Sequence, residues 1–189
     1  MAEWFVTLGP EHVDFIREQH MFFVATAPAD GNGYPNLSPK GYDCLEILGP
    51  SELVYADMPG SGNQTASHVA GGGRITLMFC GFAGQARILR VFGHGRRVLP
   101  DDEAWGPLAA RLRPGLITPQ TRQLIGIDVD KVQTSCGYAV PRYEFVSERD
   151  TLRRYYEHAA ERGEFIEKLA RARRLQDPVH AASETRWGS

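Results

Sequence analysis

The sequence of residues 21–41 is MFFVATAPADGNGYPNLSPKG, and this stretch decides the fold class. Its first part, Met21 to Ala27, is an apolar run rich in residues that favour strands. Asp30-Gly31-Asn32-Gly33 follows and is the strongest turn signal in the chain. Tyr34 to Gly41 is predicted as the returning strand, irregular or at an edge because its two prolines cannot donate to a sheet. We therefore predict a β-hairpin over these residues.

Further strands are predicted after the hairpin, separated by tight turns and short helices. Strands do not alternate with long helices, and no GxGxxG follows a strand, which argues against a Rossmann layout. A bulge is expected at Gly93 or Gly95 in the fifth strand. The six predicted strands form an antiparallel β-barrel with peripheral helices, mainly β with α (α+β), and they cover residues 21–28, 34–40, 52–57, 74–81, 87–98 and 123–134.

Helices are expected around this barrel, and their predicted ranges are residues 10–19, 63–69, 101–112 and one or two charged helices within 150–174. The basic residues of the last range alternate with glutamates, which favours a solvated helix face. The tail from Leu175 lacks periodicity. We therefore predict a single domain over residues 1–174 and a disordered C-terminal tail over 175–189.

Composition narrows the class of protein. The 189 residues are 42% hydrophobic and 23% charged, with a formal net charge of −2, which argues against nucleic acid or an anionic membrane as a partner. No apolar run approaches the length of a membrane span. The three cysteines form no CxxC pair, so free thiols in a reducing cytoplasm are expected. The histidines stand singly, which gives a metal site little support.

The returning strand of the hairpin carries the first candidate site. Ser38 and Lys40 flank Pro39 and project to the same face of a strand. A hydroxyl and an ammonium side by side make an anion site. A surface lysine beside a turn is the alternative, but the prolines interrupt a regular ladder and shift the balance toward a site.

Two further segments carry candidate chemistry. Ser61-Gly62-Asn63-Gln64-Thr65 opens the second helix, where free backbone N–H groups and polar side chains can cradle a phosphate. A helix cap without a ligand is the alternative. Ser135-Cys136-Gly137 follows the last strand. Its thiol is either reactive or packed and inert, and the absence of a neighbouring His or Lys favours the inert thiol.

In combination, these segments resemble the pyridoxamine 5′-phosphate oxidase-like family of FMN-binding split β-barrels. The resemblance extends from about Gln19 to about Ala159 and rests on the order and spacing of several short motifs. The motifs are Phe23-Val24-Ala25-Thr26, residues 33–41, Leu53-Val54-Tyr55-Ala56-Asp57, Gly62-Asn63-Gln64, residues 74–79, Arg90-Val91-Phe92-Gly93, and Ser135-Cys136-Gly137-Tyr138 with Pro141.

The resemblance implies a six-stranded split β-barrel that forms a homodimer, with FMN in the groove between the subunits. Ser38, Pro39 and Lys40 would lie along the flavin or its phosphate, and Tyr55-Ala56-Asp57 would contact the ring or ribityl chain. The segment Ser61 to Thr65 would take the phosphate, and Ser135-Cys136-Gly137 would pack near the cofactor. The flavin would carry the chemistry, so catalytic side chains are not identified.

This sequence departs from the family pattern in two places. Gln64-Thr65 stands where many relatives carry a basic pair, so either the affinity for the phosphate is lower or another arginine, such as Arg74 or Arg87, substitutes. The C-terminal segment with which the true oxidase holds pyridoxal phosphate is not found in residues 150–189. We therefore expect an FMN-dependent oxidoreductase acting on a small organic substrate, but not the true oxidase. A non-catalytic flavin, deazaflavin or haem binding protein, acting as carrier or sensor, is the alternative.

Overall fold

The computed structural model of the protein describes residues 2–175. Its helices and strands, in chain order, are β1 (Glu3–Phe5), α1 (Pro10–Arg17), β2 (Phe22–Thr26), β3 (Asn36–Lys40), β4 (Leu45–Gly49), β5 (Glu52–Asp57), α2 (Gln64–Ala70), β6 (Arg74–Cys80), β7 (Arg87–Val98), α3 (Trp105–Ala109), β8 (Gln123–Cys136), α4 (Thr151–Glu161) and α5 (Phe165–Ala172).

The strands form one antiparallel sheet in the order β3-β2-β6-β7-β8-β5-β4, with β1 added against β8. The predicted α+β split β-barrel is therefore confirmed, and the sheet stays open between its two edge strands. All six predicted strands are present, but two more, β1 and β4, were not predicted. β1 has only three residues, and every residue of β4 is half-buried, so neither shows the alternation that identifies a strand.

The bulge predicted in the fifth strand lies at Gly93, where the register between β7 and β8 shifts. A Cβ at this position would lie 2.1 Å from the carbonyl oxygen of Asp128, so the close approach of two backbones requires glycine. The predicted helix over 101–112 is shorter than expected, because the residues before Trp105 form turns. The charged range 150–174 forms the α4–α5 hairpin, as predicted. The predicted disordered tail, apart from Leu175, lies outside the described residues.

The hydrophobic core fills the inside of the sheet. Its fully buried side chains include Leu53, Tyr55, Leu77, Leu89 and Ile125, each of which removes apolar surface from water. α2 packs across one end of this core, where the imidazole Nδ1 of His68 lies 2.9 Å from the hydroxyl of Thr26. This packing fixes the start of α2 beside the end of β5.

The open seam of the barrel is joined by side chains and not by a backbone ladder. The edge strands are β3, which pairs only with β2, and β4, which pairs only with β5, so the seam separates β3 from the β4–β5 pair. Across the gap, Lys40 reaches Asp57 and Asn36 reaches Thr65. No helix in the described part of the chain is long and apolar enough to cross a membrane.

Candidate functional site

A buried carboxylate at the end of β5 organises the seam. Asp57 is 1% exposed. Its Oδ1 accepts a hydrogen bond from Lys40 Nζ at 2.9 Å, and its Oδ2 accepts from Arg122 Nε and Gln123 Nε2, both at 2.7 Å. Burial alone would raise the pKa of Asp57, but Lys40 and Arg122 outweigh it and hold that pKa below its ordinary value. The carboxylate is therefore ionised and fixed in place.

The residues of β3 alternate between the seam and the solvent, as the sequence predicted. Asn36, Ser38 and Lys40 are half-buried, whereas Leu37 and Pro39 between them are exposed. The hydroxyl oxygen of Ser38 is buried and has no hydrogen-bond partner among the described residues. An unpartnered buried hydroxyl is costly, so it marks a position where a ligand group would be stabilised.

The middle of the seam is lined by hydroxyl groups. Thr65 Oγ1 accepts a hydrogen bond of 3.0 Å from Asn36, and the buried hydroxyl of Tyr55 has no hydrogen-bond partner among the described residues. Burial, reinforced by the charge of Asp57, raises the pKa of Tyr55 well above its ordinary value, so this phenol stays protonated. Lys40 Nζ lies 5.7 Å from the centroid of the Tyr55 ring. Ala56 contributes only backbone, its N–H donating to the carbonyl of Cys44.

The predicted phosphate segment lies at the start of α2; its role in binding a phosphate stays a prediction, whereas the alternative of a side-chain helix cap is not seen. Asn63 occupies the N-cap position without a side-chain capping bond. Its amide nitrogen instead donates to the carbonyls of Arg173 and Arg174, at 3.3 and 3.1 Å, and its amide oxygen accepts from Gln123 at 2.8 Å. Asn63 therefore fastens the end of α5 to the barrel.

The remaining residues of this segment frame the loop before α2. Ser61 and Gly62 line a cavity against the α4–α5 hairpin. The carbonyl of Gly62 accepts a hydrogen bond of 2.9 Å from Arg122. The side chain of Gln64 lies against Gly62, where an added Cβ would be only 2.2 Å from its oxygen. The loop thus has no room for a larger residue at Gly62 unless Gln64 moves.

The arginines that the sequence proposed for the site are not there. Arg74 pairs with Asp130 on the surface, and the guanidinium of Arg87 lies over the ring of Phe15. Arg122, which is 4% exposed, reaches the site instead. The signal that could have found it is the polar pair Arg122-Gln123, which directly precedes the apolar residues Leu124 and Ile125. Such a pair is unusual at a buried strand start and requires partners.

A second arginine joins the network from β7. Arg97 Nε donates to the side-chain oxygen of Gln123 at 2.7 Å, and its Nη2 donates to the carbonyl of Arg173. Burial, together with the charges of Arg122 and Arg173, lowers the pKa of Arg97, an effect that Asp102 opposes. In this network the cations outnumber the single buried carboxylate, Asp57. The local potential therefore favours an anion.

The third predicted segment lies at the other end of β8. Ser135 Oγ accepts a hydrogen bond of 3.2 Å from Arg90, Cys136 is exposed, and the N–H of Gly137 donates to the carbonyl of Ala86. No contact among the described residues joins this segment to the Lys40–Asp57 cluster. Its place beside a cofactor stays a prediction. A different thiol, Cys44, lies near that cluster, but burial raises its pKa to about 12, so it is not a nucleophile.

The fold and the seam define a class: a split β-barrel whose open edge carries a buried, positively biased polar site. The model of the pyridoxamine 5′-phosphate oxidase family matches residues 8–136. The pyridoxamine 5′-phosphate oxidase family protein ustO of Aspergillus flavus is 32% identical over 181 residues, covering 88% of this chain and 72% of that protein. The chain therefore belongs to the pyridoxamine 5′-phosphate oxidase family, a family of flavin-binding split barrels.

Solved structures share the fold at lower identity. A pyridoxamine 5′-phosphate oxidase-like protein of Lactobacillus delbrueckii superposes with a TM-score of 0.50 at 22% identity, over 68% of this chain and 94% of that one. An FAD-binding protein of Mycobacterium smegmatis gives 0.46 at 14% identity, over 68% and 96%. At these identities the likeness concerns the fold alone.

Proposed function

We propose that this protein binds FMN at the seam between β3 and β5, and that it is an FMN-dependent oxidoreductase acting on a small organic substrate. The observation that carries the proposal is the convergence of Ser38 and Lys40 with Tyr55, Asp57 and Thr65 at one opening of the barrel. These residues come from three separate elements, β3, β5 and α2. Because the family binds flavins, a flavin is the class of ligand that we propose for the seam. Within this cluster, the Ser38 hydroxyl is buried and unpartnered among the described residues.

The residues present fit the chemistry of FMN. The polar edge of the flavin ring, or its phosphate, needs cations and donors, which Lys40 and Ser38 supply. A flat ring needs an apolar slot. A cavity of about 340 Å³ lies beside Lys40, with Phe22 and Phe79 among its lining side chains. Donors and an apolar wall therefore stand side by side, which supports a flavin.

The protein's own residues would bind and orient in this scheme. FMN supplies reversible electron and hydride transfer when it is bound. Asp57 holds the ammonium of Lys40 in a fixed position, so the cation is preorganised. Tyr55 and Cys44, whose pKa values are both raised, remain protonated at neutral pH and present hydrogen-bond donors rather than negative charge.

A homodimer is part of the proposal. Large apolar side chains lie on the outside of the barrel, where Leu37 is 65% exposed and Trp4, stacked on Phe92, is 58% exposed. A partner subunit would remove this surface from water. Light scattering at micromolar concentration should give twice the monomer mass, and a monomer would count against this part.

A reducing cytoplasm would suit the three free thiols.

The first experiment is to denature the purified protein and identify the released small molecule by mass. FMN is expected, with the absorbance of an oxidised flavin in the native preparation. A Soret band would instead indicate haem, and a deazaflavin mass would indicate that cofactor. Anaerobic mixing with NADH or NADPH then tests activity. A bound flavin that neither reduces would favour the non-catalytic carrier or sensor.

A further inference from the structure

A second cavity lies apart from the seam, between the loop before α2 and the α4–α5 hairpin. Its volume is about 450 Å³. The side chains that define its chemistry are those of Ser61, Tyr155, Tyr156, Lys168, Arg171 and Arg174. Three of these six are cations, and no carboxylate from residues 2–175 lines the cavity.

The positive charge around this cavity is only partly neutralised by ion pairs among the described residues. Lys168 Nζ lies 3.5 Å from Glu164 and donates to the hydroxyl of Tyr155 at 3.0 Å. Arg171 and Arg174 have no ion pair with any described residue. The chain as a whole carries a formal charge of −2, so this local excess of cations over acids is not a property of the whole chain. Arg171 and Arg174 are both exposed, in agreement with the solvated face predicted for this range, and they also border the cavity.

The barrel holds the hairpin in place over the loop. Arg122 Nη1 donates to the carbonyl of Ala172 at 3.0 Å, and Arg173 Nε donates back to the carbonyl of Arg122 at 2.8 Å. Asn63 donates to the carbonyls at the end of α5. These bonds satisfy carbonyls that a helix end leaves free. The cations on α5 are therefore held at a fixed place beside Ser61 and Gly62.

We propose that this cavity binds a phosphate monoester, and that Arg171 of α5 and Arg174, just beyond its end, supply the cations that the Gln64-Thr65 segment lacks. The hairpin lies outside residues 8–136, the part matched by the family model, so this contribution belongs to the chain's own C-terminal part. The phosphate is either that of the flavin, in which case the inference rests on the proposed function, or that of a separate phosphorylated ligand.

The test compares the parent with the double variant Arg171→Ala/Arg174→Ala. The control is Arg154→Ala/Arg162→Ala, which removes the same charge from exposed positions of the same hairpin. Apoprotein is titrated with FMN and with riboflavin, which lacks the phosphate. If the cavity holds the flavin phosphate, the double variant loses about tenfold or more in FMN affinity. Riboflavin affinity and the control should stay unchanged.

A separate phosphorylated ligand gives a different result. Inorganic phosphate is then titrated by calorimetry into each protein, loaded with flavin where flavin binds. Weaker phosphate binding by the double variant, with FMN affinity unchanged, assigns the cavity to that second ligand. If no protein binds flavin, the proposed function fails, but weaker phosphate binding by the double variant still supports the cavity. Equal affinities of parent and double variant for both FMN and phosphate would overturn the inference.

Discussion

The two ends of strand β8 differ sharply in what they do. At its start, Gln123 is fully buried and bonded to Asp57, Asn63 and Arg97. At its end, Ser135 and Cys136 lie near the surface, and Ser135 has one side-chain bond to a half-buried arginine. The sequence drew attention to the second end and missed the first. A polar residue that a strand buries, such as Gln123, is therefore a better indicator of a site than a partly exposed polar residue, such as Ser135.

The largest expected effect comes from Arg122→Met at the buried end. Removing this guanidinium leaves Asp57 with a weaker set of partners and frees two carbonyls, those of Gly62 and Ala172. Breaking a buried ion pair costs about 3–5 kcal/mol in the free energy of unfolding. Urea denaturation measures this directly.

The matched control is Arg90→Met at the other end, where the arginine bonds only to the side chains of Gln133 and Ser135. Partly exposed bonds of this kind contribute about 1 kcal/mol or less. Equal losses in the free energy of unfolding for Arg122→Met and Arg90→Met would contradict the difference between the two ends of β8.

The next effect is on cofactor affinity. Lys40→Ala removes a charge-assisted bond of roughly 1.5–3 kcal/mol, so FMN binding should weaken about ten- to a hundredfold. The fold should survive, because Asp57 keeps Arg122 and Gln123 as partners. Fluorescence titration of apoprotein gives the affinity. Lys131→Ala, at an exposed lysine of β8, is the control, and unchanged FMN affinity in Lys40→Ala would show that Lys40 lies outside the site.

Lowering the pH should distinguish the contribution of Asp57 to stability from that of the buried histidines. The pKa of Asp57 is lower in the folded protein, so its contribution to stability is present above its unfolded pKa, about 3.9, and is lost as the pH falls through its folded pKa. Burial lowers the pKa values of His12 and His68, so stability also falls as the pH drops below about 6.5. Urea midpoints of the parent and Asp57→Asn should fall in parallel from pH 7 to 5. Their difference should then shrink below pH 4, and a constant difference would contradict the assignment.

The smallest effect is expected from Ser135→Ala. Its hydroxyl forms a single bond at a partly exposed position, so the free energy of unfolding should change by about 0.5 kcal/mol. FMN affinity should change less than tenfold in the same titration. A loss of a hundredfold would instead make this end of β8 part of the cofactor site.

The sequence predicted the barrel well because its strands are marked by alternation and by turns such as Asp30-Gly31-Asn32-Gly33. It also placed Ser38, Lys40, Asp57 and Thr65 in one candidate site, and the structure brings them together. It could not predict the partners of Asp57, because they lie 17, 65 and 66 residues away. Only the register of β5 against β8 brings Arg122 and Gln123 to this carboxylate.

The seam between β3 and β5 also determines where the barrel exchanges with solvent. Separating β3 from β5 and α2 would break the Lys40–Asp57 and Asn36–Thr65 contacts, respectively, but no ladder of backbone hydrogen bonds. Amide protons of β3, which pairs on one side only and contains Pro39, should therefore exchange with deuterium well before those of β6 and β7, which pair on both sides. The barrel should therefore open more easily along this seam than elsewhere, and the seam runs along the proposed ligand site.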